Sequence, residues 1–496
     1  MLFPTDGSRL LSAAQFVAGD PPMQTPSWFR QFHFAHFSTL AVHDFAPVTQ
    51  FSSSTCELTC IGHIVDPRRP ELANDGIVRQ LAIACNDFAQ LESATATLTG
   101  RWALFARIGQ SARLYPDASG LKSLFYVVGS EGLSIASQPG LLASVSPSAR
   151  ANSDLSKPGT SSNALAWPAQ RTPYEGIKQL LPNHYLDLST ATARRFWPQG
   201  SIEPLELDSA AKQIGHLLEG GIRGVIERDD HTTFTLTGGM DSRTLLAAAV
   251  SMWDRLKFIT VVDWSTPLHD VWIPYQLSKR LRLRHNWLWT PRVSTELVEV
   301  QHSNTSGMFR DPNQHQVFAF GKAGRALMLV GGCSEVCRCY YHPVHDPAIV
   351  DAALLSTLSG WGHHQFAVDA FEDWLADVPS NSGVSTLDLF YWECRLGNWA
   401  ALSYTADDAF LDQIPPFNSR EILAIGLGTS VDNRRPPYRL HRRVCELMAG
   451  QVLEQPVNST WLDSVRQFSR PFVPTRLRSS ARRVRHRLAG GSPRAE

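Results

Sequence analysis

The segment Phe234-Thr235-Leu236-Thr237-Gly238-Gly239-Met240-Asp241-Ser242-Arg243 constrains this chain more than any other stretch. A β-prone apolar run meets two glycines, and a helical pattern starts near Asp241. Strand, glycine turn and helix in that order open a parallel α/β sheet. Such a turn lets bare backbone N–H groups crowd around an anion, and the helix N-terminus adds its partial positive charge. Thr237, Gly238, Gly239 and Ser242 would then form a cradle suited to polyphosphate. The plain alternative is a tight turn with Ser242 as a cap. An acid at Asp241 inside a phosphate cradle makes sense chiefly with a magnesium ion between it and the phosphate oxygens. Neither a Gly-Lys-Ser/Thr ending nor a G-x-G-x-x-G spacing is present, which disfavours kinases and dinucleotide enzymes.

The surrounding periodicity agrees with an α/β sheet. Ala211, Ile214, Leu218 and Ile222 share one helix face ahead of the strand Thr233–Leu236. Phe258–Val262 predicts the next strand, Ile273–Leu283 a helix, and Leu327–Val330 a third buried strand followed by glycines. Beyond Pro347 the pattern is mainly helical, most clearly over Leu389–Leu402 and Arg439–Leu453. The first stretch, to about Pro198, reads instead as short strands: Cys60–Val65, Ala103–Ile108, Arg113–Tyr115, Leu124–Val128 and Tyr185–Leu188. The turn Pro116-Asp117-Ala118-Ser119-Gly120 predicts a hairpin joining Arg113–Tyr115 to Leu124–Val128. Gly76–Phe88 has helical spacing, and Ser144–Ser162, rich in Ser, Pro, Asn and Gly, predicts a mobile surface loop.

A chain of 496 residues with 43% hydrophobic content exceeds one ordinary core, so two domains are expected. Lys+Arg and Asp+Glu both number 46, and this balance gives no reason to expect nucleic acid as a partner. Eight scattered cysteines, no secretory pattern over Met1–Gln15 and no apolar run of about 18 residues predict a cytoplasmic protein without a membrane span. Cys333, Cys337 and Cys339 lie close to His342 and His345, but without paired C-x-x-C spacing they read as packing residues rather than zinc ligands.

The loop resembles the Ser-Gly-Gly-x-Asp-Ser signature of the asparagine synthetase-like enzymes of the PP-loop ATP pyrophosphatase class, with Thr237 in the first position. Asp117 to Lys122 with Phe125-Tyr126, Ile135-Ala136-Ser137 and Gly176 to Tyr185 resemble signposts of that family's N-terminal glutaminase domain. Asp270 with Leu277, Leu283 and His285 resembles a connection in its second domain. The resemblance implies a glutaminase-like αββα sandwich over 1–200, an adenine-nucleotide α-hydrolase-like parallel sheet with a helical C-terminal part over 205–465, and a basic tail over 466–496. It implies ATP and Mg2+, with a carboxylate adenylated, pyrophosphate released and the acyl group passed to ammonia or an amine. Thr237, Gly238, Gly239, Ser242, Arg243 and Gly332 would bind ATP or pyrophosphate, with Val261 and Val262 near the adenine. Asp241 and Glu335 would bind metal, and Glu335 and Arg338 would serve catalysis. The carboxylate and amine would be small molecules or peptides.

The departures from the family are specific. Leu2 stands where glutamine-hydrolysing members carry a cysteine, so the first domain is expected to be a retained scaffold. The second signature, Gly-Glu-Gly-x-Asp-Glu, is represented by Gly331-Gly332-Cys333-Ser334-Glu335, with Gly331 replacing one glutamate and Ser334 the aspartate. Glu335 is then the sole nearby acid to hold a second magnesium or take a proton, the bland alternative being a pair with Arg338. The Asp-Ser-Arg loop and Glu-x-x-Arg motif resemble a branch of the family closer to this chain than true asparagine synthetase. No lysine follows Lys322 to replace the family's late lysine; Arg434, Arg435 and Arg470 are the candidates. The segment Tyr391–Trp399 resembles the branch's substrate-facing segment, with Glu393 and Arg395 as the residues to test, although aromatics at this spacing are more often core. Alternatives to a ligase are a non-catalytic nucleotide-binding member and, from the arginines after Arg470, a tRNA-modifying enzyme.

Overall fold

Strand residues in the N-terminal half alternate between two cores. The computed structural model describes residues 10–130, 132–146, 150–151, 166–262, 266–289, 295–307, 327–341 and 350–457. Its first strands are β1 (Phe16–Gly19), β2 (Phe29–Gln31), β3 (Thr39–His43), β4 (Val48–Ser52), β5 (Cys56–Val65), β6 (Thr99–Ile108) and β7 (Ser111–Pro116). β8 (Phe125–Gly129), β9 (Gly132–Ala136), β10 (Arg150–Ala151), β11 (Tyr174–Glu175), β12 (Lys178–Gln179), β13 (His184–Asp187) and β14 (Thr192–Arg195) follow. Two six-stranded antiparallel sheets result, ordered β12-β8-β9-β1-β3-β2 and β14-β13-β7-β6-β5-β4, with β10 and β11 as a separate pair. Phe16 and Ala18 of β1, Leu40 and Val42 of β3, and Ala103 and Phe105 of β6 meet in one core between the sheets. The alternate residues Trp102 and Leu104 pack outward with Ile77, Val78 and Leu81 of helix α1 (Asn74–Ala84) and Leu91 of α2 (Phe88–Thr95). On the opposite side, Val17 and Ala41 pack with Leu142 of α3 (Pro139–Val145). The period of two therefore builds a helix–sheet–sheet–helix stack.

Two expectations for this half need correction. β7 and β8 are not a hairpin: β7 pairs with β6 and β13, β8 with β9 and β12, so the chain crosses between sheets after Pro116. Asp117 directs the crossing, its carboxylate accepting the N–H groups of Ser119 (3.2 Å), Leu121 (3.0 Å) and Lys122 (2.8 Å). An acid that gathers local amides outcompetes a two-strand ladder. The helical run Gly76–Phe88 is also broken, because Asp87 caps a new helix by accepting the Gln90 N–H at 2.8 Å. Of the predicted loop Ser144–Ser162, Arg150–Ala151 forms the short strand β10, while residues 147–149 and 152–162 lie outside the described residues, as does the basic tail.

In the C-terminal half, β15 (Thr233–Thr235), β16 (Lys257–Val262), β17 (His285–Trp289), β18 (Leu327–Leu329) and β19 (Asp412–Ile414) form one parallel sheet ordered β17-β16-β15-β18-β19. The chain winds outward from β15 through β17, then returns to β15's other side with β18. In an open parallel sheet such a reversal leaves a crevice beyond the carboxyl ends of the two central strands. Helices α4 (Leu207–Ile226), α5 (Met240–Ala248) and Arg439–Ala449 pack together, and α6 (Leu268–Leu281) follows β16. The expected helix over Leu389–Leu402 is present but underwound in its middle: Tyr391–Ala400 is π-helical between α-helical turns. No helix among the described residues is long and apolar enough to cross a membrane.

Buried polar contacts join the halves. Arg101 pairs with Asp408 at 2.8 Å, and Asn418 donates to Asp117 (2.8 Å) and to the Gly100 carbonyl (2.7 Å). Glu393, fully buried, accepts from Arg195 (2.9 Å), Asn183 (3.0 Å) and Trp374 (2.9 Å). The substrate-facing reading of Glu393 is therefore replaced by a structural one. The carboxylate has no free lone-pair direction toward a crevice and ties the π-helix to β14.

Candidate functional site

The crevice at the sheet's reversal is lined by the two loops expected to carry chemistry. β15 delivers Thr237–Gly239 and β18 delivers Gly331–Arg338, so segments about a hundred residues apart converge on Asp241. No side chain caps α5 at its N-cap Gly239, which leaves its first amides facing the loop. Ser242 braces that loop, its hydroxyl accepting the Thr237 N–H at 2.9 Å, rather than capping the helix. The Gly239 N–H meets the Thr237 hydroxyl at 3.3 Å.

The Gly238 amide donates at 2.9 Å to the carboxylate of Asp270, in the first turn of α6. A carboxylate thus lies where an incoming anion would seek this amide. Repulsion between two unit charges about 4 Å apart amounts to roughly 1–4 kcal/mol between water and a partly screened surface. Asp270→Asn keeps an oxygen for the amide while removing the charge. It is expected to tighten binding of inorganic pyrophosphate about tenfold in a calorimetric titration. Unchanged or weaker binding would show that the Asp270 carboxylate does not compete for the cradle.

Asp241 is held on both oxygens. The Ser334 hydroxyl donates to Oδ1 in a short contact, and Arg338 pairs with Oδ2 at 3.2 Å. Arg338 also lies 3.8 Å from Glu335 and stacks over Tyr438, 5.4 Å from the ring centre. Ser334–Arg338 is a single 3-10 turn bracketed by Cys333 and Cys339, both at positive φ (76° and 49°). Side chains tolerate that conformation only where packing compels it, and here the two flanks aim Ser334, Glu335 and Arg338 at α5. Burial, reinforced by the Asp241 charge and opposed by Arg338, raises the Glu335 carboxyl to about 7. A quarter of its side chain stays open to solvent, while its Oε2 is buried without a hydrogen-bond partner among the described residues. Such a group can both accept and return a proton near neutrality.

The two glycines after β18 serve packing. A Cβ on Gly331 would stand 3.1 Å from the Ser242 nitrogen and 3.2 Å from two Asp241 carbons. A side chain at this position would press on the backbone at the start of α5. Gly331→Ala is expected to destabilise the protein by about 1–3 kcal/mol, as overpacking against backbone does. It should also weaken nucleotide binding; denaturation and titration of the same variant would check both. At Gly332 a Cβ would lie 2.4 Å from the Tyr404 hydroxyl, so Tyr404 would have to shift to admit a side chain.

Other expected site residues separate by geometry. Val261 and Val262 end β16, the strand beside β15, with Val262 buried and Val261 partly so. Arg243 is wholly buried and donates to the carbonyls of Val452, Gln455 and Pro456, so its guanidinium anchors the segment after Arg439–Ala449 rather than lining the cradle. Arg434 is paired in the interior with Asp388 at 2.8 Å, and Arg435 pairs with Asp432 in solvent. Neither is therefore placed as a stand-in for a lysine, and Arg470 lies outside the described residues. Cys333, Cys337 and Cys339 are buried, with burial pushing the Cys337 and Cys339 thiols up to about 12. Among the described residues no group of three or more His, Cys, Asp or Glu side chains could hold a metal; His342 and His345 lie outside them.

One residue had no sequence signal at all. His441, on the helix Arg439–Ala449, is buried beside Phe417 and Tyr438, and neither ring nitrogen has a hydrogen-bond partner among the described residues. Burial, only partly offset by the Asp241 charge, lowers it to about 4, so it stays neutral. Its place on an amphipathic helix gives no hint of this, since a histidine there passes for an ordinary core position. Clefts also open at the seam between the halves, one lined by Phe196, Trp197, Arg420 and Ala424, but these share no residue with the glycine loop.

No family model matches this chain, and no curated protein matches it. Solved structures give weak likenesses. Glutamine-dependent NAD+ synthetase from Acinetobacter baumannii, in complex with ADP, is 16% identical over 35% of this chain at a TM-score of 0.20, and this chain spans only 34% of its length. The allosteric regulatory enzyme of purine biosynthesis is 10% identical over 66% of this chain and 71% of its own, TM-score 0.23. Glutamine phosphoribosylpyrophosphate amidotransferase from B. subtilis, complexed with ADP and GMP, is 12% identical over 67% and 71%, TM-score 0.22. Scores this low establish no shared fold, and the chemistry of the crevice rests on its own geometry.

Proposed function

We propose that this chain is an ATP-dependent amide-forming ligase that adenylates a carboxylate substrate, releases pyrophosphate and transfers the acyl group to ammonia or an amine. The observation that carries this reading is the meeting, at the sheet's reversal, of an uncapped helix N-terminus and two-glycine loop with Asp241, Glu335 and Arg338. The N-terminal sandwich, about 1–200, acts as a scaffold for the nucleotide domain, about 205–465.

In the first step a substrate carboxylate oxygen attacks the α-phosphorus of ATP. The bond from that phosphorus to the bridging oxygen breaks, and pyrophosphate departs against the Gly238–Ser242 amides. In the second step the amine nitrogen attacks the acyl carbon, the acyl–oxygen bond to AMP breaks, and the Glu335 carboxylate takes the proton of the new ammonium. Arg338 offsets negative charge gathering between Asp241 and the phosphates. Val261 and Val262 offer an apolar strand end beside the adenine.

Mg2+ fits this donor set. Burial, reinforced by the Asp241 charge, raises Glu335, and its buried Oε2 lacks a hydrogen-bond partner among the described residues. One or two protein carboxylates, completed by phosphate oxygens and water, suffice for this ion. Asp241 would hold it, Glu335 being kept for the amine proton, and when bound the ion supplies charge neutralisation at the phosphate oxygens. Labelled pyrophosphate should exchange into ATP in the presence of an accepted acid. No exchange across a broad panel of amino acids and other carboxylates would contradict the reading.

A second reading has one specific support. Ser334 and Arg338 already satisfy both oxygens of Asp241, which would suit a member that binds nucleotide without turning it over. Tight ATP binding by calorimetry, with no AMP formed in the presence of any acid and amine, would favour it.

A further inference from the structure

A cleft at the seam between the two halves contains an interior arginine that forms no ion pair. Arg101, Arg195 and Arg434 each meet a carboxylate, and Arg395 is framed by the rings of Tyr340 and Trp399 beside Tyr341. Arg420, which opens the helix Arg420–Leu427, is only 4% exposed and has no carboxylate within ion-pair distance among the described residues. Its Nε donates to the Asn183 side chain at 3.1 Å, but Nη2 is enclosed without a hydrogen-bond partner and no described residue accepts from Nη1. Phe196 covers one face of the guanidinium, its ring centre 4.6 Å from the guanidinium carbon. A ring face attracts the cation but accepts none of its in-plane hydrogen bonds. Burial lowers Arg420 to about 10, opposed by Asp117, Glu92 and Tyr115 from beyond ion-pair distance. The first turn of a helix adds partial positive charge of its own, so this position penalises a cation twice and favours an anion twice.

The cleft that Arg420 lines measures about 290 Å³, at the lower end of the range for small-molecule sites. Phe196, Trp197, Ala96 and Ala424 give it apolar walls. Trp197 is partly buried and stacks on the fully buried Trp392 at 4.7 Å, which fixes its indole as a rigid surface. Two carboxylates also line the cleft, and each is already matched. Glu92 accepts from Arg113 at 3.0 Å and from Tyr115 at 2.7 Å, and Glu421 accepts from Arg68 at 2.6 Å and from Thr97. These pairs cancel, and Arg420 is left as one uncompensated positive charge. A monoanion satisfies it. The second charge of a dianion or a phosphate ester would face Glu92 and Glu421 instead.

We propose that this cleft is a second ligand site, separate from the glycine-loop crevice, that takes a singly charged carboxylate with a flat apolar body, the carboxylate on the terminal nitrogens of Arg420 and the body against Trp197 and Ala424. A planar fork facing a carboxylate gives a charge-assisted, bidentate pair. The matching neutral amide keeps the shape and forfeits the charge, a loss of roughly 10–100-fold in affinity, the size of a hydrogen bond to a charged group.

The test is calorimetric titration of the full chain with benzoate, phenylacetate and 3-phenylpropanoate, each against its amide, and with phthalate as a dianion of similar shape. At least one of the three monocarboxylates is expected to bind at least tenfold more tightly than its amide and than phthalate. Ala424→Phe, which fills the cleft while leaving Arg420 in place, should abolish that binding. Arg420→Gln should bring carboxylate and amide to equal affinity. No monocarboxylate binding, equal binding of the amides, tighter binding of phthalate, or a preference that survives in either variant would overturn the proposal. Should Arg420→Gln fail to fold, the Ala424→Phe titration decides by itself.

Discussion

Glu393→Ala is expected to lower the stability of the protein by about 3–5 kcal/mol, the usual cost of removing one partner from a buried charged network. Glu393 is 0% exposed and accepts hydrogen bonds from Arg195, Asn183 and Trp374. Truncation leaves the buried Arg195 with Asp377, itself half exposed, as its remaining carboxylate beside the Trp197 carbonyl, and leaves the Trp374 and Asn183 donors without that acceptor. A shape-preserving Glu393→Gln change keeps two acceptor directions and should cost less, in the range of about 1–3 kcal/mol. Denaturant titrations of the two variants measure the difference. A substrate-facing Glu393 would behave in the opposite way, with normal stability and altered activity, so this experiment decides between the two assignments.

Asp241→Asn is expected to reduce pyrophosphate exchange by about a hundred- to a thousandfold, the scale seen when one preorganised electrostatic group is removed from an active site. The substitution retains the acceptor for the Ser334 hydroxyl but loses the ion pair with Arg338 and the charge that the proposed function assigns to holding the cation. Stability is expected to fall by about 1–3 kcal/mol, because both side chains of the pair are largely buried while the Asn keeps the Ser334 hydrogen bond. A larger loss of stability, with exchange lowered only in proportion to unfolding, would mean that Asp241 is chiefly a structural partner of Arg338.

The glycine loop was legible because its signal is local: a β-prone run, two residues without side chains and an amphipathic helix define a strand–turn–helix whatever surrounds them. β5, β6, β15 and β16 were legible for the same reason. The crossing from β7 to β8 was not, because Asp117 satisfies local amides in place of the ladder that the turn residues suggested. Residues whose partners are distant in sequence were the hardest. Arg243 follows the signature aspartate and serine, yet its partners lie beyond Val452, and Glu393 reads as an acid in an aromatic segment until β14 brings Arg195 to it. Asp270 was visible as a signpost, but its contact with the Gly238 amide depends on how α6 starts relative to α5. The replacement of two acids by Gly331 and Ser334 looked like decay in sequence. In three dimensions Gly331 admits α5 closely and Ser334 binds Asp241, so the pair forms a consistent packing solution.

The central claim is that the amides around Gly238 and the N-terminus of α5 hold the polyphosphate of a nucleotide. A crystal grown with magnesium and an ATP analogue that cannot be cleaved between its α- and β-phosphates measures this directly. The expected map places phosphate oxygens within hydrogen-bond distance of the Gly238 and Gly239 amides, with Asp270 displaced from Gly238. Nucleotide bound elsewhere, with Asp270 still on that amide, would contradict the claim.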